Sequence, residues 1–251
     1  MDTLVTGATG RLGRLVVASL EGAGHRVRRM SSRPGANTVH GDMATGEGLA
    51  SALEGVEAVV HAASDPRGDP WQVDVAGSRR LTEAVDRRTL RHLVYVSIVG
   101  VDRNPYSYYR AKFAAEQVLL ASGVPVTVLR VTQFHEFVDD MLQTGRRGAV
   151  LAVPSGWQLQ PVAVREAAHH VCAVLDGPAA AQQVREFAGP EQLDSVDMAR
   201  QWARAQRTPP RVVPVPVPGK IGKAFRGGCA LTAGGDRGAV TYAEHLGAVH
   251  R

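Results

Sequence analysis

Apolar positions along the first 130 residues fall into two alternating rhythms. Short β-branched runs at Thr3–Thr6, His25–Arg29, Thr38–His40, Ala58–His61, His92–Ser97 and Pro125–Arg130, several of them apolar on both faces, predict strands. Between them, Arg11–Glu21, Gly48–Leu53, Val73–Arg88 and Ser107–Ala121 have helical spacing. Strands of this kind separated by helices predict a parallel sheet covered on both sides. Beyond Val131 the rhythm changes. Helices are predicted at Val138–Thr144, Arg165–Leu175 and Val196–Gln206, and a hairpin joins Ala149–Val153 to Gln158–Gln160 around Pro154-Ser155-Gly156. The run Arg211-Val-Val-Pro-Val-Pro-Val-Pro218 lacks every second ladder donor, so it suits only an edge strand or an extended tie. The expected fold class is α/β. One domain spans 1–251, with a sheet core over 1–131 and a small C-terminal α+β cap over 132–251 built onto the same sheet.

Composition narrows the picture. With 251 residues, 44% of them hydrophobic and 21% charged, the chain can bury a full core, which excludes wholesale disorder. No run of apolar residues is long enough for a membrane-spanning helix. Met1-Asp2-Thr3-Leu4-Val5 leads straight into a strand with no signal-like pattern. Cys172 and Cys229 are too few and too far apart for a zinc framework or a disulfide scaffold, so a cytoplasmic protein with reduced thiols is expected. His169-His170 has no carboxylate or thiol at ligand spacing, and no metal site is expected. The net charge of +5 comes from 29 cations of which only Lys112, Lys220 and Lys223 are lysines. They are scattered, as on solvated faces, and predict no specific nucleic-acid partner.

The sharpest motif is Thr6-Gly7-Ala8-Thr9-Gly10-Arg11-Leu12-Gly13, between the first strand and the first helix. Gly7 permits the tight turn, Gly10 a close backbone approach, and Gly13 close helix–strand packing. The helix start offers unpaired N–H groups to a pyrophosphate. This predicts a Rossmann-type doubly wound sheet in which residues 7–13 hold a dinucleotide. About 20 residues after the last such glycine a carboxylate would select NAD. Here the chain reads Ser31-Ser32-Arg33, and NADP(H) is expected over NAD(H) through charge-assisted bonds to the 2′-phosphate. Asp42 and Met43 follow the third strand, with Asp42 placed to accept from the adenine amino group. Ala62, Ala63 and Ser64 follow the fourth, where small residues let the dinucleotide lie flat.

A candidate catalytic set comes next. Ser97 ends the fifth strand, and Tyr108 and Lys112 share one face at the start of the following helix. A cation beside a phenol favours the phenolate, so Tyr108 is a candidate proton donor, with Ser97 bonding the same substrate oxygen. Lys112 is a candidate for the nicotinamide ribose as well. Substrate contacts are expected from Thr132, Gln133, Phe134 and His135 after the sixth strand, and from Trp157 on the cap. His135 is either a second acid/base or a structural histidine, and Trp157 either an aromatic wall or cap packing.

Together these residues resemble the short-chain dehydrogenase/reductase superfamily, in its atypical NmrA-like branch. The resemblance rests on the glycine loop, Val73-Asp74-x-x-Gly77, Tyr95-Val-Ser97, Tyr108-x-x-x-Lys112, Ser122-Gly123-Val124-Pro125, Val128-Leu-Arg130, Gln133-Phe134-His135 and the Pro-Val run at 212–218. It covers nearly the whole length. It implies a Rossmann fold, NAD(P)H binding and a Ser/Tyr/Lys set. The expected function is NADPH-dependent hydride transfer to a small carbonyl, quinone or similar polarised double bond. The alternative is a non-catalytic NADP(H)-binding redox sensor of the NmrA-like type.

Overall fold

The computed structural model describes residues 1–33, 35–179 and 182–249. In chain order the elements begin with β1 (Asp2–Thr6), α1 (Arg11–Gly22), β2 (Arg26–Ser31), β3 (Val39–His40), α2 (Leu49–Leu53) and β4 (Ala58–His61). A π-helical segment, Trp71–Ala76, leads into α3 (Gly77–Ala84), β5 (His92–Ile98), α4 (Ser107–Leu120) and β6 (Val126–Val131). Then come α5 (His135–Gly145), β7 (Arg146–Arg147), β8 (Val150–Pro154), β9 (Gln158–Leu159), α6 (Val164–Asp176) and β10 (Gln183–Ala188). The remainder is β11 (Leu193–Asp194), α7 (Ser195–Ala205), β12 (Arg211–Val215), α8 (Gly219–Arg226), β13 (Asp236–Arg237) and α9 (Tyr242–Val249).

Two compact units interleave along the chain. The first takes Met1–Ser97, Ser107–Arg130 and Ala167–Arg185; the second takes Ile98–Tyr106, Val131–Glu166 and Glu186–Arg251. In the first unit the strands stand in the order β10-β6-β5-β4-β1-β2-β3. Leu4 pairs in parallel with Arg28 on one side and Val59 on the other, and Val59 pairs with Leu93. The order reverses between β1 and β4, the switch point outside which ligands of doubly wound sheets bind. Leu4, Val59, Leu93, Val126 and Val128 form the buried centre, with Leu53 and Leu81 packed against them. The expected parallel α/β sheet is therefore present.

Local chemistry moves some boundaries. The helix expected over Val73–Arg88 starts as the π-helical segment after Pro70 and stops at Ala84, because Val85 turns extended. Asp86 then makes a turn of its own, its carboxylate taking the Arg88 N–H and its carbonyl the Leu90 N–H. Gly77 is required where it stands: a Cβ there would lie 2.9 Å from the Met43 carbonyl oxygen.

In the second unit the expected hairpin does not form. β8 pairs with β7 and, in parallel, with β12, whereas β9 pairs with β11 in a separate small sheet. Past Pro154 the strand stays with β12, where Ser155 N donates to the Val215 carbonyl at 2.9 Å. The Pro154 carbonyl is taken by the Ser195 hydroxyl at 2.6 Å. With both partners supplied from distant segments, the Pro-Ser-Gly corner closes no two-stranded ladder. The proline-rich β12 is an edge strand, one of the two roles its missing donors allow. β7, β10, β11, β13, α8 and α9 had no sequence expectation: β10 is half exposed, and the others are short.

Candidate active site

At Gly7 and Gly13 the glycine loop has no room for a side chain larger than hydrogen. Gly7 has φ +65°, and a Cβ on it would come within 2.8 Å of the Ala63 backbone. A Cβ on Gly13 would run into the Gly7 carbonyl oxygen. Gly10 N donates to that same carbonyl at 3.0 Å, which turns the chain into α1. Among the described residues no side chain caps α1, and its first turn holds no carboxylate, an arrangement that suits an anion at the helix N-terminus. Among the other residues of the loop, Ala8 and Leu12 are buried, while Thr9 and Arg11 are exposed. This donor set and its tight glycine contacts fit a pyrophosphate.

A buried histidine ties the ends of β1 and β4 together under this loop. Thr6 Oγ1 accepts from Ala62 N at 3.2 Å and Ala63 N at 3.1 Å, so its own proton goes to His61 Nδ1 at 2.8 Å. His61 then donates from Nε2 to Ser78 Oγ at 3.1 Å. Complete burial, with Lys112 adding to it, lowers the His61 pKa to about 3. The imidazole is neutral at any working pH, which suits a structural clamp.

At the end of β2, Ser31 is buried and takes the Arg33 N–H at 3.1 Å, whereas Ser32 and Arg33 are exposed. Asp42 Oδ1 accepts from Ala44 N at 2.7 Å, a turn-forming bond. Met43 is part of the core, its carbonyl taken by Arg80 at 3.1 Å.

The catalytic candidates separate into two networks. Tyr108 and Ser64 share a hydrogen bond of 2.9 Å. Ser64 Oγ also contacts both oxygens of Asp74, at 2.8 and 3.0 Å. Asp74 is wholly buried on the π-helical segment and pairs with Lys112 Nζ at 3.3 Å. Lys112 further donates to the Val96 carbonyl at 2.8 Å and lies 4.2 Å over the Tyr95 ring. Burial lowers the Lys112 pKa, and the carboxylates Asp74 and Glu116 oppose that shift. Burial likewise holds the Tyr95 phenol well above its ordinary pKa, so it stays protonated. Ser97 lies in the other network. It donates to Glu116 Oε1 at 2.5 Å, and Arg130 grips the same carboxylate at 3.0 and 2.7 Å.

The substrate candidates lie in the second unit. Thr132 is buried and ties down backbone, its N–H going to the Phe187 carbonyl and its hydroxyl taking the Gly189 N–H. Phe134 is half-buried and caps α5 in an extended conformation. His135 is fully buried. Its Nε2 proton goes to the Pro161 carbonyl at 3.1 Å, leaving Nδ1 as a bare acceptor. Burial, reinforced by His245, lowers its pKa to about 4, so the ring is neutral near pH 7. Both amide atoms of Gln133 and the Trp157 indole N–H are buried with no hydrogen-bond partner among the described residues. Such orphans are rare and mark places where a ligand or water completes the bonding. Trp157 also stacks on Phe225 at 4.2 Å, so its ring serves as cap packing.

Fold and loop together define a dinucleotide-binding protein of the Rossmann class. A family model described as NAD(P)H-binding matches residues 7–152, and the chain belongs to that family. A (4-alkanoyl-5-oxo-2,5-dihydrofuran-3-yl)methyl phosphate reductase from Streptomyces griseus is 30% identical over 219 residues, covering 83% of this chain and 75% of that protein. Photosystem II assembly factor Ycf39 from Cyanophora paradoxa is 28% identical over 149 residues, covering 54% of this chain. The chain spans only 46% of that relative's length. Among solved structures, the Escherichia coli NADPH-dependent quinone oxidoreductase QOR2 complexed with NADPH superposes with a TM-score of 0.82 at 18% identity, over 99% of this chain and 100% of that one. The NAD(P)H-binding Rossmann protein expected from the motifs is thereby upheld, and a solved short-chain dehydrogenase/reductase superfamily protein from Agrobacterium tumefaciens shares the fold with a TM-score of 0.76 at 21% identity, over 100% of this chain and 96% of that one. Among the described residues no helix is long and apolar enough to cross a membrane.

Sequence reasoning missed Asp74 as a site residue, although it was in view as part of the Val73-Asp74-x-x-Gly77 motif. It also missed the Glu116–Arg130 pair. A carboxylate and a cation 14 positions apart, on a helix and the following strand, carry no local spacing signal.

Proposed function

We propose that this protein is an NADPH-dependent reductase that delivers hydride to a small carbonyl or quinone, with Tyr108 donating the proton. The observation that carries this reading is the continuity from loop to phenol. Gly7 backs onto Ala63, and the next residue, Ser64, holds the Tyr108 hydroxyl at 2.9 Å. A dinucleotide gripped by residues 7–13 would run over Ala62 and Ala63 toward that phenol. Bound reduced nicotinamide would supply the hydride. Tyr108 would give its proton to the oxygen that gains charge, so that a carbonyl becomes an alcohol and a quinone a hydroquinone. Exposed Arg33, beside Ser31 and Ser32, supports the preference for a 2′-phosphate.

NADPH oxidation against a panel of quinones and carbonyls tests the reading. Tyr108→Phe should lower kcat by about a hundredfold or more, with NADPH affinity changed less than threefold or so. Unchanged turnover in that variant removes Tyr108 from the chemistry. A second reading, a dinucleotide-binding regulator without turnover, draws on the commitment of the Ser97 hydroxyl to Glu116. It predicts tight NADPH binding and no oxidation with any member of the panel.

A further inference from the structure

The spacing of Tyr108 and Lys112 suggests that the ammonium acts directly on the phenol. The structure puts a carboxylate in that relationship. Asp74 is fully buried, lies 3.3 Å from Lys112 Nζ, and is joined to Tyr108 through Ser64. An ionised carboxylate has no proton to give, so the two short contacts from Ser64 Oγ mean that Ser64 donates to Asp74. The Ser64 proton is then used. In the remaining contact with Tyr108, Ser64 Oγ can only accept, and the phenol must be the donor.

We propose that Asp74, acting through Ser64, is the positioning residue of the Tyr108 site: it neutralises Lys112 and orients Ser64 so that Tyr108 rests as a protonated phenol aimed at Ser64. The inference deepens the reductase reading and rests on it. A resting phenol, rather than a phenolate, is the form that carries a proton to a newly formed oxyanion. The charged and titratable groups around Lys112 are Asp74 on the π-helical segment, Tyr95 on β5, His61 on β4 and Glu116 on α4. His61 and Tyr95 are neutral over the working range. Glu116 is bound to Arg130. Asp74 is thus the counter-charge in direct contact with the ammonium and, through one hydroxyl, with the phenol. On catalysis the phenol loses its proton to substrate. The Ser64 hydroxyl can then swing from Asp74 to donate to the phenolate oxygen until a proton returns from solvent. Atoms and charge balance: one proton leaves Tyr108 for substrate, and one is taken up afterwards.

The test reads tyrosine ionisation by absorbance near 295 nm, with Tyr108→Phe subtracted, so it needs no substrate. Asp74→Asn should bring Tyr108 ionisation at least about one pH unit lower, because the ammonium then acts on the phenol without its counter-charge. An unchanged or raised ionisation in that variant overturns the proposal. Should Asp74→Asn not fold, Ser64→Ala, which keeps the buried pair, takes its place. With menadione and NADPH, Ser64→Ala should lower kcat about tenfold with little change in KM, and Ser64→Thr should recover most of the loss. Wild-type kcat in Ser64→Ala overturns it. The parent reading fails separately, if Tyr108→Phe reduces menadione as fast as the wild type.

Discussion

The glycine loop and the polar network around Tyr108 lie one residue apart at Ala63 and Ser64, yet they work by different means. The loop acts through backbone alone. Its specificity is the absence of side chains at Gly7 and Gly13, where a Cβ would strike main-chain atoms. The network, taken with the Ser97–Glu116–Arg130 cluster, acts through side chains from the loop after β4, the π-helical segment, β5, α4 and β6. Its members are chemically costly to bury: Asp74 and Glu116 are both fully buried, and Lys112 nearly so. Buried charges persist only when paired and hydrogen-bonded, and here every one is. A backbone cradle tolerates drift elsewhere in the chain, whereas a buried ionic network couples distant positions to one another.

That contrast gives predictions of decreasing size. The largest effect belongs to the network. Glu116→Gln leaves Arg130 without its charge partner and should cost about 3–5 kcal/mol of stability, read as a lower urea midpoint at unchanged slope. A variant that melts like the wild type would show that the pair is not desolvated as described.

Next is pH. His61 and His135 have folded-state pKa values of about 3 and about 4, below the unfolded value near 6.5. Between those limits the unfolded chain binds more protons, so stability is complete above about pH 6.5 and is lost as pH falls. The loss should be about 1.4 kcal/mol per pH unit for each histidine, and denaturant titrations at pH 7 and pH 5 measure it. A flat response would mean that neither ring is held neutral by burial.

Gly13→Ala puts a methyl against the Gly7 carbonyl and should cost about 1–3 kcal/mol. It should weaken NADPH binding far more than it disturbs the Tyr108 network, which calorimetric titration beside tyrosine ionisation would separate. If binding survives, the cradle is not backbone-limited.

The smallest effect is expected at the exposed rim. Arg33→Asp should weaken NADPH about tenfold or more and NADH much less, as expected for one lost charge-assisted contact at an exposed site. Equal losses for both would remove Arg33 from the 2′-phosphate.

The loop was legible because its chemistry is local. Seven consecutive residues contain the turn, the close approach and the helix start, and glycine spacing records all three. The parallel sheet was legible for a similar reason, since a strand buried on both faces shows its apolar run directly. The hairpin expected around Pro154-Ser155-Gly156 failed because a corner says nothing of its partners, which were β12 and β11 more than thirty residues away.

The sequence by itself determined the fold class, the glycine turn between β1 and α1 and the presence of a tyrosine and a lysine on one helical face. Each of those follows from spacing within a single element. Only the tertiary structure decided that the lysine faces Asp74, that Ser64 rather than Ser97 meets the phenol, and that Ser97 belongs to Glu116 and Arg130. Those choices depend on which side chains folding brings within hydrogen-bond reach in a water-poor interior, and no periodicity along one strand or helix encodes that.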